Sequence, residues 1–154
     1  MPRVRSATAR DAEAIRALLE RYGLPTTDLP SAQTDFIVVY EGARLIGTGA
    51  LQRFGAAALV RSVAVEASWH RSGIGRVIVE ELERRARAAD VTELVLLTQT
   101  AQAFFERHNY RAIDREKTPG AVRASEEFRS LCPASATCMS KTLVPPAPLG
   151  RAHG

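Results

Sequence analysis

The chain has 154 residues, of which 45% are hydrophobic and 25% are charged, and these are the proportions of one ordinary globular domain. No apolar run approaches the roughly 18 residues that a membrane-spanning helix needs, which excludes a helical integral membrane protein. The first residues lack the apolar stretch of a signal peptide, so we expect a cytoplasmic protein.

The net charge of +4 comes from 21 basic and 17 acidic residues. A basic balance suits nucleic acid, an anionic cofactor or a merely solvated surface. Arg84, Arg85 and Arg87 each follow a glutamate by four residues, which is typical of paired charges on the solvent face of a helix. We therefore predict neither a nucleic-acid partner nor a membrane partner.

The hydrophobic pattern predicts an α/β chain in which strands and helices alternate. The predicted elements of the first half are a strand at Arg3–Ala7, a helix at Thr8–Arg21, and strands at Phe36–Tyr40, Leu45–Phe54 and Ala58–Val65. Those of the second half are a long helix from Ile74, a strand at Glu93–Leu97, a helix at Ala101–Arg107, a strand at Asn109–Arg115, a helix at Pro119–Leu131 and a strand at Thr137–Leu143. Residues 1–143 are predicted to form a single domain, followed by a disordered Pro- and Gly-rich tail at 144–154.

The most informative stretch is the turn from His70 to Arg76, between a β-branched strand and an amphipathic helix. Its two glycines let the backbone approach a ligand, and the helix that follows contributes unpaired N–H groups and the positive end of its dipole. This arrangement is typical of a phosphate site. A Rossmann fingerprint needs a third glycine where Ile78 stands, and a P-loop needs a lysine. A plain strand–turn–helix connection is the alternative. The predicted inner face of the helix comprises Ile74, Val77, Ile78, Leu82 and Ala86.

This turn resembles the acetyl-CoA signature of the GNAT N-acetyltransferase superfamily, (Gln/Arg)-x-x-Gly-x-(Gly/Ala), with His70 at the Gln/Arg position and Arg71 directly after it. A second segment, from Thr100 to Tyr110, resembles the downstream motif of the family through Ala101, Phe104, Glu106 and Tyr110. The resemblance implies the GNAT fold, a mixed and mostly antiparallel sheet with splayed strands, flanked by helices. It also implies acetyl-CoA as cosubstrate, without a metal.

By the same resemblance, pantetheine lies between the splayed strands and the pyrophosphate lies on the turn. The backbone N–H of Val63 is implied as the donor to the developing oxyanion. The residues implied for acetyl-CoA are Val63, Ala64, Val65, His70, Arg71, Ser72, Gly73, Ile74, Gly75, Arg76, Thr98, Ala101 and Phe105.

Two positions depart from the family pattern. Phe105 stands where many members carry a tyrosine as general acid, and Tyr110 and Tyr40 are the possible substitutes, although each is also explained as a buried structural tyrosine. Arg61 stands where several members carry a glutamate base. An arginine accepts no proton, but its guanidinium can hold a carboxylate, phosphonate or arsonate bidentately.

We therefore predict that Arg61, Ser62 and Arg123 bind the acidic groups of an amino-acid-like acceptor. The alternative is that Arg61 pairs with Glu126 or Glu127. Cys132 and Cys138 have no third ligand at metal-binding spacing, so no metal site is predicted.

Within the superfamily, the chain resembles arsenic-resistance N-acetyltransferase-like proteins. The residues that carry this resemblance are Leu59–Val65, Leu96–Phe105 and the segment from Pro119 to Ala136. It implies acetylation of a small amine acceptor, a glutamate-analogue toxin such as phosphinothricin or arsinothricin. The alternatives are an N-acetylglutamate-synthase-like enzyme, a catalytically weak acetyl-CoA sensor, and an enzyme acting on a protein N-terminus or lysine. Many relatives dimerise through their C-terminal strands, so a homodimer is compatible with the resemblance.

Overall fold

The computed structural model describes residues 2–26, 34–125, 128 and 135–144. Seven strands of this part of the chain form one sheet. In chain order they are β1 (Arg3–Ser6), β2 (Thr34–Glu41), β3 (Arg44–Phe54), β4 (Ala57–Val65), β5 (Glu93–Thr98), β6 (Arg111–Ala112) and β7 (Thr137–Thr142). Their spatial order is β1-β2-β3-β4-β5-β7-β6. Only β4 and β5 run parallel, and every other neighbouring pair is antiparallel.

Helices flank this sheet, as the sequence predicts. The α-helices of the described residues are α1 (Ala12–Arg21), α2 (Ile74–Ala88), α3 (Gln102–Arg107) and α4 (Gly120–Arg123), and short 3-10 helices occur at Ala9–Asp11, Ala67–Trp69 and Arg115–Lys117. No helix within residues 2–26, 34–125, 128 and 135–144 is both long and apolar enough to cross a membrane.

One predicted strand is shorter than expected. The predicted strand at Asn109–Arg115 is reduced to the two residues of β6, and the chain then turns into a 3-10 helix. Of the predicted helix at Pro119–Leu131, α4 forms the beginning, and Phe128 is again helical. Between them, the hydroxyl of Ser125 donates to the Val122 carbonyl at 2.6 Å. Residues 126–127 and 129–131 of this predicted helix lie outside the described residues. Residues 145–154 of the predicted tail lie outside the described residues.

Helix α2 packs on the sheet through Ile78, Leu82 and Ala86, which are fully buried as predicted. Val77, predicted on the same face, is 39% exposed. Each residue advances a helix by about 100°, and the buried face centres on the side shared with Val79 and Glu83, so that Val77 falls outside it.

Two glycines of β3 allow α2 to lie close to the sheet. A Cβ atom built at Gly47 would lie 2.9 Å from Ile78 Cδ1, and one built at Gly49 would lie 2.6 Å from Ile78 Cγ2 and 3.2 Å from Leu82 Cδ1. Interiors are close-packed, so even one methyl group is felt there. The glycines of β3 therefore set the distance between α2 and the sheet.

Substitution Gly49→Ala should lower the free energy of unfolding by about 1–3 kcal/mol, because the added methyl overpacks the contact with Ile78. Urea denaturation followed by circular dichroism measures this change. Gly120→Ala is the control, since its Cβ would meet only Arg123 Nη2, at 3.9 Å. A Gly49→Ala variant as stable as Gly120→Ala would contradict the close packing of α2 on β3.

A buried carboxylate joins the start of α1 to the sheet. Asp11 is 3% exposed and accepts hydrogen bonds from both terminal nitrogens of Arg5, at 2.9 and 3.0 Å, from the Tyr40 hydroxyl at 3.0 Å and from the Thr8 amide at 2.7 Å. The Thr8 contact is part of the capping interaction that the sequence predicts. The hydrogen bond from Arg5 is the largest cause that holds the pKa of Asp11 well below its ordinary value.

Because the pKa of Asp11 is lower in the folded protein, its stabilising effect is complete above the unfolded pKa of about 3.9 and is lost as pH falls below it. The free energy of unfolding of the wild type should therefore fall as the solution is acidified below about pH 5. Asp11→Asn should be less stable at neutral pH by roughly 1.5–3 kcal/mol and should show a weaker pH dependence. Thermal unfolding at a series of pH values measures the stability and its pH dependence. Asp35→Asn is the control, because the Asp35 side chain is half-exposed. Equal slopes for the wild type and Asp11→Asn would refute this assignment.

Candidate functional site

The central feature of the site is the early end of the ladder between β4 and β5. These strands pair only from Ala57–Glu93 to Leu59–Val95, although β4 continues to Val65. Beyond this point the two strands diverge, and a gap opens at the carboxyl end of β5. The divergence is the splaying that the sequence resemblance implies.

A β-bulge lies where β4 leaves its neighbour. On the other side of β4, Arg61 pairs with Ala50 and Ala64 pairs with Thr48, so Ser62 and Val63 together face Gly49. Ser62 has φ of 58°, a left-handed conformation that is uncommon outside glycine. A bulge bends its strand and redirects side chains, and bulges are common beside active sites.

Two clefts meet at this bulge. The inner cleft, of about 210 Å³, is lined by Tyr22–Pro25, Val60–Val63, Leu96–Ala101, Phe104, Phe105 and Ala136. The outer cleft, of about 620 Å³, is lined by Val63–Val65, Trp69–Arg71, Gly73, Gly75, Arg76, Thr100, Ala101, Ala103, Phe104, Arg107 and His108. Val63, Thr100, Ala101 and Phe104 line both clefts, so the two form one groove that bends at Val63.

The turn before α2 supplies unpaired donors to the outer cleft. Gly73 has φ of 89° and Arg71 has φ of 68°. The first hydrogen bond of α2 runs from the Val77 amide to the Gly73 carbonyl at 3.0 Å. The N–H groups of Gly75 and Arg76 precede it, so they have no acceptor within the helix. Together with the helix dipole, they form a site for an anion.

Gly75 has a second role in this turn. A Cβ atom at this position would lie 3.2 Å from Cζ of Phe104, which stands at the junction of the clefts. His70 stabilises the turn from its other end, since its Nε2 lies 2.8 Å from the Val65 carbonyl. With a carbonyl as acceptor, Nε2 carries the proton. The turn is thus held against both the end of β4 and the start of α3.

The outer cleft is strongly cationic. Arg71, Arg76 and Arg107 line it together with two histidines, and no carboxylate is found among the described residues of its lining. All three arginines are exposed. This charge, added to the anion site of the turn, fits a ligand that carries several phosphate groups.

The inner cleft carries a different charge pattern. Arg61, only 3% exposed, is the one charged residue among the described residues that line it. Its Nη1 donates to Gln52 Oε1 at 3.2 Å and its Nε to Ser62 Oγ at 3.4 Å. Its guanidinium is therefore held in a defined position beside the bulge. Arg123 is exposed and does not line the cleft, and the alternative partners Glu126 and Glu127 lie outside the described residues.

Comparison with known proteins shows the family to which the chain belongs. Residues 32–112, more than half of the chain, match the family model described as an acetyltransferase (GNAT) domain. An uncharacterized N-acetyltransferase of Chlorobaculum tepidum is 30% identical in an alignment of 127 positions, which covers 77% of this chain and 81% of that protein. The chain belongs to the GNAT acetyltransferase family.

Two solved structures agree with this assignment. A Mycobacterium tuberculosis protein in complex with CoA and a second ligand is 25% identical, with a TM-score of 0.75 over 92% of this chain and 99% of that chain. The Neisseria gonorrhoeae N-acetylglutamate synthase, in complex with CoA and N-acetyl-glutamate, is 18% identical with a TM-score of 0.78, over 94% of this chain and 35% of that chain. This chain thus spans about a third of that synthase. The predicted GNAT fold and enzyme class, an acetyl-CoA-dependent N-acetyltransferase, are confirmed.

Most of the residues predicted for acetyl-CoA line the groove of this GNAT acetyltransferase, and two do not. Ile74 is buried in the core, and the Ser72 hydroxyl bonds to the Trp69 carbonyl. Thr98 lines the inner cleft, where its hydroxyl accepts the Ala101 amide at 2.9 Å, and Phe105 lines that cleft as well. The roles assigned to these residues stay predictions.

Two sets stand out among the lining residues that sequence reasoning missed. The first set lies on α3 and directly beside its ends, facing the outer cleft, namely Thr100, Ala103, Phe104, Arg107 and His108. Their spacing of three or four residues is that of one helical face, so the helical period could have identified them. The second set is Tyr22–Pro25 at the end of α1. Nothing in the local sequence connects this segment to a site formed 40 residues later.

The two tyrosines considered as general acids lie elsewhere. The Tyr110 hydroxyl donates to Glu83 Oε2 at 3.0 Å, and Lys141 Nζ bonds to both oxygens of Glu83, at 3.0 and 3.1 Å. Burial, with Glu83 beside it, raises the pKa of Tyr110 far above its ordinary value. The Tyr40 hydroxyl donates to Asp11. Neither tyrosine lines a cleft, and both positions fit the structural interpretation.

Cys138 lies in β7 beside Leu97 of the inner cleft. It is a free cysteine, 4% exposed, and burial raises the pKa of its thiol to about 11. A protonated buried thiol is a poor metal ligand. Cys132 lies outside the described residues, and the absence of a metal stays a prediction.

The charge of the outer cleft predicts how acetyl-CoA affinity responds to substitution. Arg71→Ala should weaken acetyl-CoA binding about two- to fivefold at low salt, because one exposed phosphate contact is lost. The difference from the wild type should shrink at high salt, which screens exposed charges. Isothermal titration calorimetry measures both effects. Arg84→Ala is the matched control, since Arg84 bonds to Glu81 at 2.6 Å on the solvent side of α2. An Arg71→Ala variant indistinguishable from Arg84→Ala would contradict the assignment.

Proposed function

We propose that this GNAT acetyltransferase transfers the acetyl group of acetyl-CoA to the primary amine of a small acidic amino compound. One observation carries the proposal: Arg61 is buried within the inner cleft, where it is the one charged residue among the described lining. A buried guanidinium in a defined position favours an acceptor that carries a carboxylate, phosphonate or arsonate over a cationic acceptor such as a lysine side chain.

The size of the inner cleft supports a small acceptor. Its volume of about 210 Å³ is below the 300–1,000 Å³ or so of sites for drug-sized ligands. A compound the size of one amino acid, with its amine directed towards Val63, suits this space. A folded protein N-terminus or a peptide would require a longer and more open groove.

The chain's own residues suggest how the transfer proceeds. The cations and the amides of the turn would bind the phosphate groups, and the part of the outer cleft beside Val63–Val65 would hold the pantetheine arm. Val63 lies where the clefts meet, and its N–H would donate to the carbonyl oxygen on which negative charge develops. Acetyl-CoA supplies an activated thioester. The amine attacks its carbonyl carbon, the C–S bond breaks, and the amine proton ends on the departing thiolate.

Proton transfer places a limit on this mechanism. Phe105 carries no proton to donate, and Arg61 accepts none. A thiolate whose conjugate acid has a pKa of about 8.5 leaves tolerably well without a strong acid. Most of the acceleration would then come from holding amine and thioester in line, for which ideal positioning provides about 7–11 kcal/mol.

The identity of the acceptor is the finer part of the proposal. The resemblance to arsenic-resistance N-acetyltransferase-like proteins favours glutamate analogues such as phosphinothricin and arsinothricin, and hence a role in detoxification. The glutamate-synthase alternative would use glutamate itself, and the Neisseria synthase shares only the fold. Both acceptors present an acidic group that Arg61 could bind.

Thiol release from acetyl-CoA tests the proposed function directly. The acceptors to compare are glutamate, phosphinothricin, arsinothricin, simple amines and a lysine peptide. Acceleration by one glutamate-like acid supports the proposal, and a preference for glutamate itself favours the synthase-like alternative. Acceleration by the lysine peptide alone would refute an acidic acceptor. Binding of acetyl-CoA without release by any amine would indicate a sensor.

Substitution of Arg61 should separate the acceptor from acetyl-CoA. Arg61→Lys keeps the charge but loses the planar fork, so the KM of the acidic acceptor should rise about ten- to hundredfold while that of acetyl-CoA stays constant. Steady-state kinetics with each substrate varied in turn measures this. Arg53→Lys is the control on the neighbouring strand, where Arg53 is half-exposed and pairs with Asp35 at 3.3 Å. Equal rises of both KM values in Arg61→Lys would refute the role of Arg61.

A further inference from the structure

Tyr22 contacts both halves of the groove, although the proposed mechanism gives it no role. Its side chain lines the inner cleft. Its hydroxyl oxygen accepts the Ala67 amide at 2.7 Å, and Ala67 begins the 3-10 helix of the turn that leads to the outer cleft. The ring of Tyr22 also lies 6.4 Å from the ring of His70, centroid to centroid, and His70 lines the outer cleft.

A buried carboxylate strengthens this link. Glu66 is 7% exposed and accepts hydrogen bonds from Arg21, which directly precedes Tyr22, and, at 3.4 Å each, from Arg44 and from the Tyr22 hydroxyl. Its own amide donates to the Ile46 carbonyl at 2.8 Å. Arg21 and Tyr22, at the end of α1, are therefore attached to Glu66 and Ala67, which lead into the turn, and Glu66 is attached to β3.

The end of α1 forms one wall of the inner cleft. After Tyr22 the chain reverses at Gly23, with φ of 71°, and the Leu24 amide returns to the Leu19 carbonyl at 2.9 Å. Gly23, Leu24 and Pro25 then line the cleft. The position of this wall depends on the end of α1, where the Tyr22 hydroxyl is bonded to the Ala67 amide before the turn. A shift of the turn would thus reach the inner cleft through Tyr22.

We propose that Tyr22 is a positioning residue, whose hydroxyl couples occupation of the outer cleft by CoA to the placement of the Tyr22–Pro25 wall beside the acceptor. The proposal rests on the proposed function. A ligand that orders the turn favours the arrangement in which the Ala67 amide bonds to Tyr22, and the wall is then held for the acceptor. Coupling between two sites is reciprocal, so the acceptor should tighten CoA binding by the same factor.

Hydrogen exchange of the full chain, with and without CoA, tests the coupling without an acceptor. CoA should slow exchange in two peptides, residues 66–76 of the turn and residues 20–26 of the wall, the latter at least about threefold. Tyr22→Phe removes the hydroxyl and keeps the ring. In this variant CoA should still protect the turn but should no longer protect the wall.

Tyr40→Phe is the matched control, because it also removes a hydroxyl bonded to a carboxylate, that of Asp11, and Tyr40 lines neither cleft. It should respond to CoA as the wild type does. Protection of the turn without protection of the wall in the wild type would overturn the coupling and leave the proposed function intact. No protection of either peptide by CoA would overturn both.

Kinetics gives a second readout that a merely structural role would not produce. With a saturating acetyl-CoA concentration, Tyr22→Phe should raise the acceptor KM about three- to tenfold, the effect of one lost hydrogen bond. The affinity for CoA alone should stay close to that of the wild type. Equal losses for CoA and acceptor, or none for either, would overturn the assignment of Tyr22 as a positioning residue.

Discussion

The site depends on a ladder of hydrogen bonds that stops early. Parallel strands normally pair along their shared length, and β4 and β5 pair over only three residues of each. The bulge at Ser62 and Val63 bends β4 away, and backbone groups that would have paired inside the sheet are left to face a groove. Backbone N–H and C=O groups that are buried without a hydrogen-bond partner destabilise a fold. Here these groups face the groove, where the amides of a flexible ligand arm could form hydrogen bonds with β4 as a neighbouring strand would.

The packing of α2 and α3 fixes the position of the turn relative to this gap. Gly47 and Gly49 let α2 lie directly on β3, so the start of α2 has a fixed height above the sheet. Gly75 then admits Phe104, which brings α3 against the same turn. The amides of the turn are therefore positioned by packing on two sides rather than by the turn alone. The anion site of the turn and the bulged strand thereby become parts of one groove.

The sequence is informative where the chemistry is local. The turn from His70 to Arg76 carries its glycines, its cations and its helix start within seven residues, so both its conformation and its family could be read from them. The hydrophobic period and the capping residues were sufficient to predict α1, and the hydrophobic pattern was sufficient to predict most strands. Where the prediction was wrong, a contact absent from the local pattern decided the outcome. The packing direction of α2, set by its contacts with β3, leaves Val77 outside the buried face. The wall at Tyr22–Pro25 is the extreme case, since only the tertiary fold brings it to Arg61.

The burial of Cys138 has a chemical consequence for an enzyme that handles thioesters. A thiolate near an acetyl thioester would compete with the amine, accept the acetyl group itself and leave the protein acylated. Cys138 lies in the strand next to the inner cleft, but burial raises the pKa of its thiol to about 11, so the thiol stays protonated at neutral pH. The sheet thus holds this thiol in a protonated, buried form, in which it is a poor nucleophile.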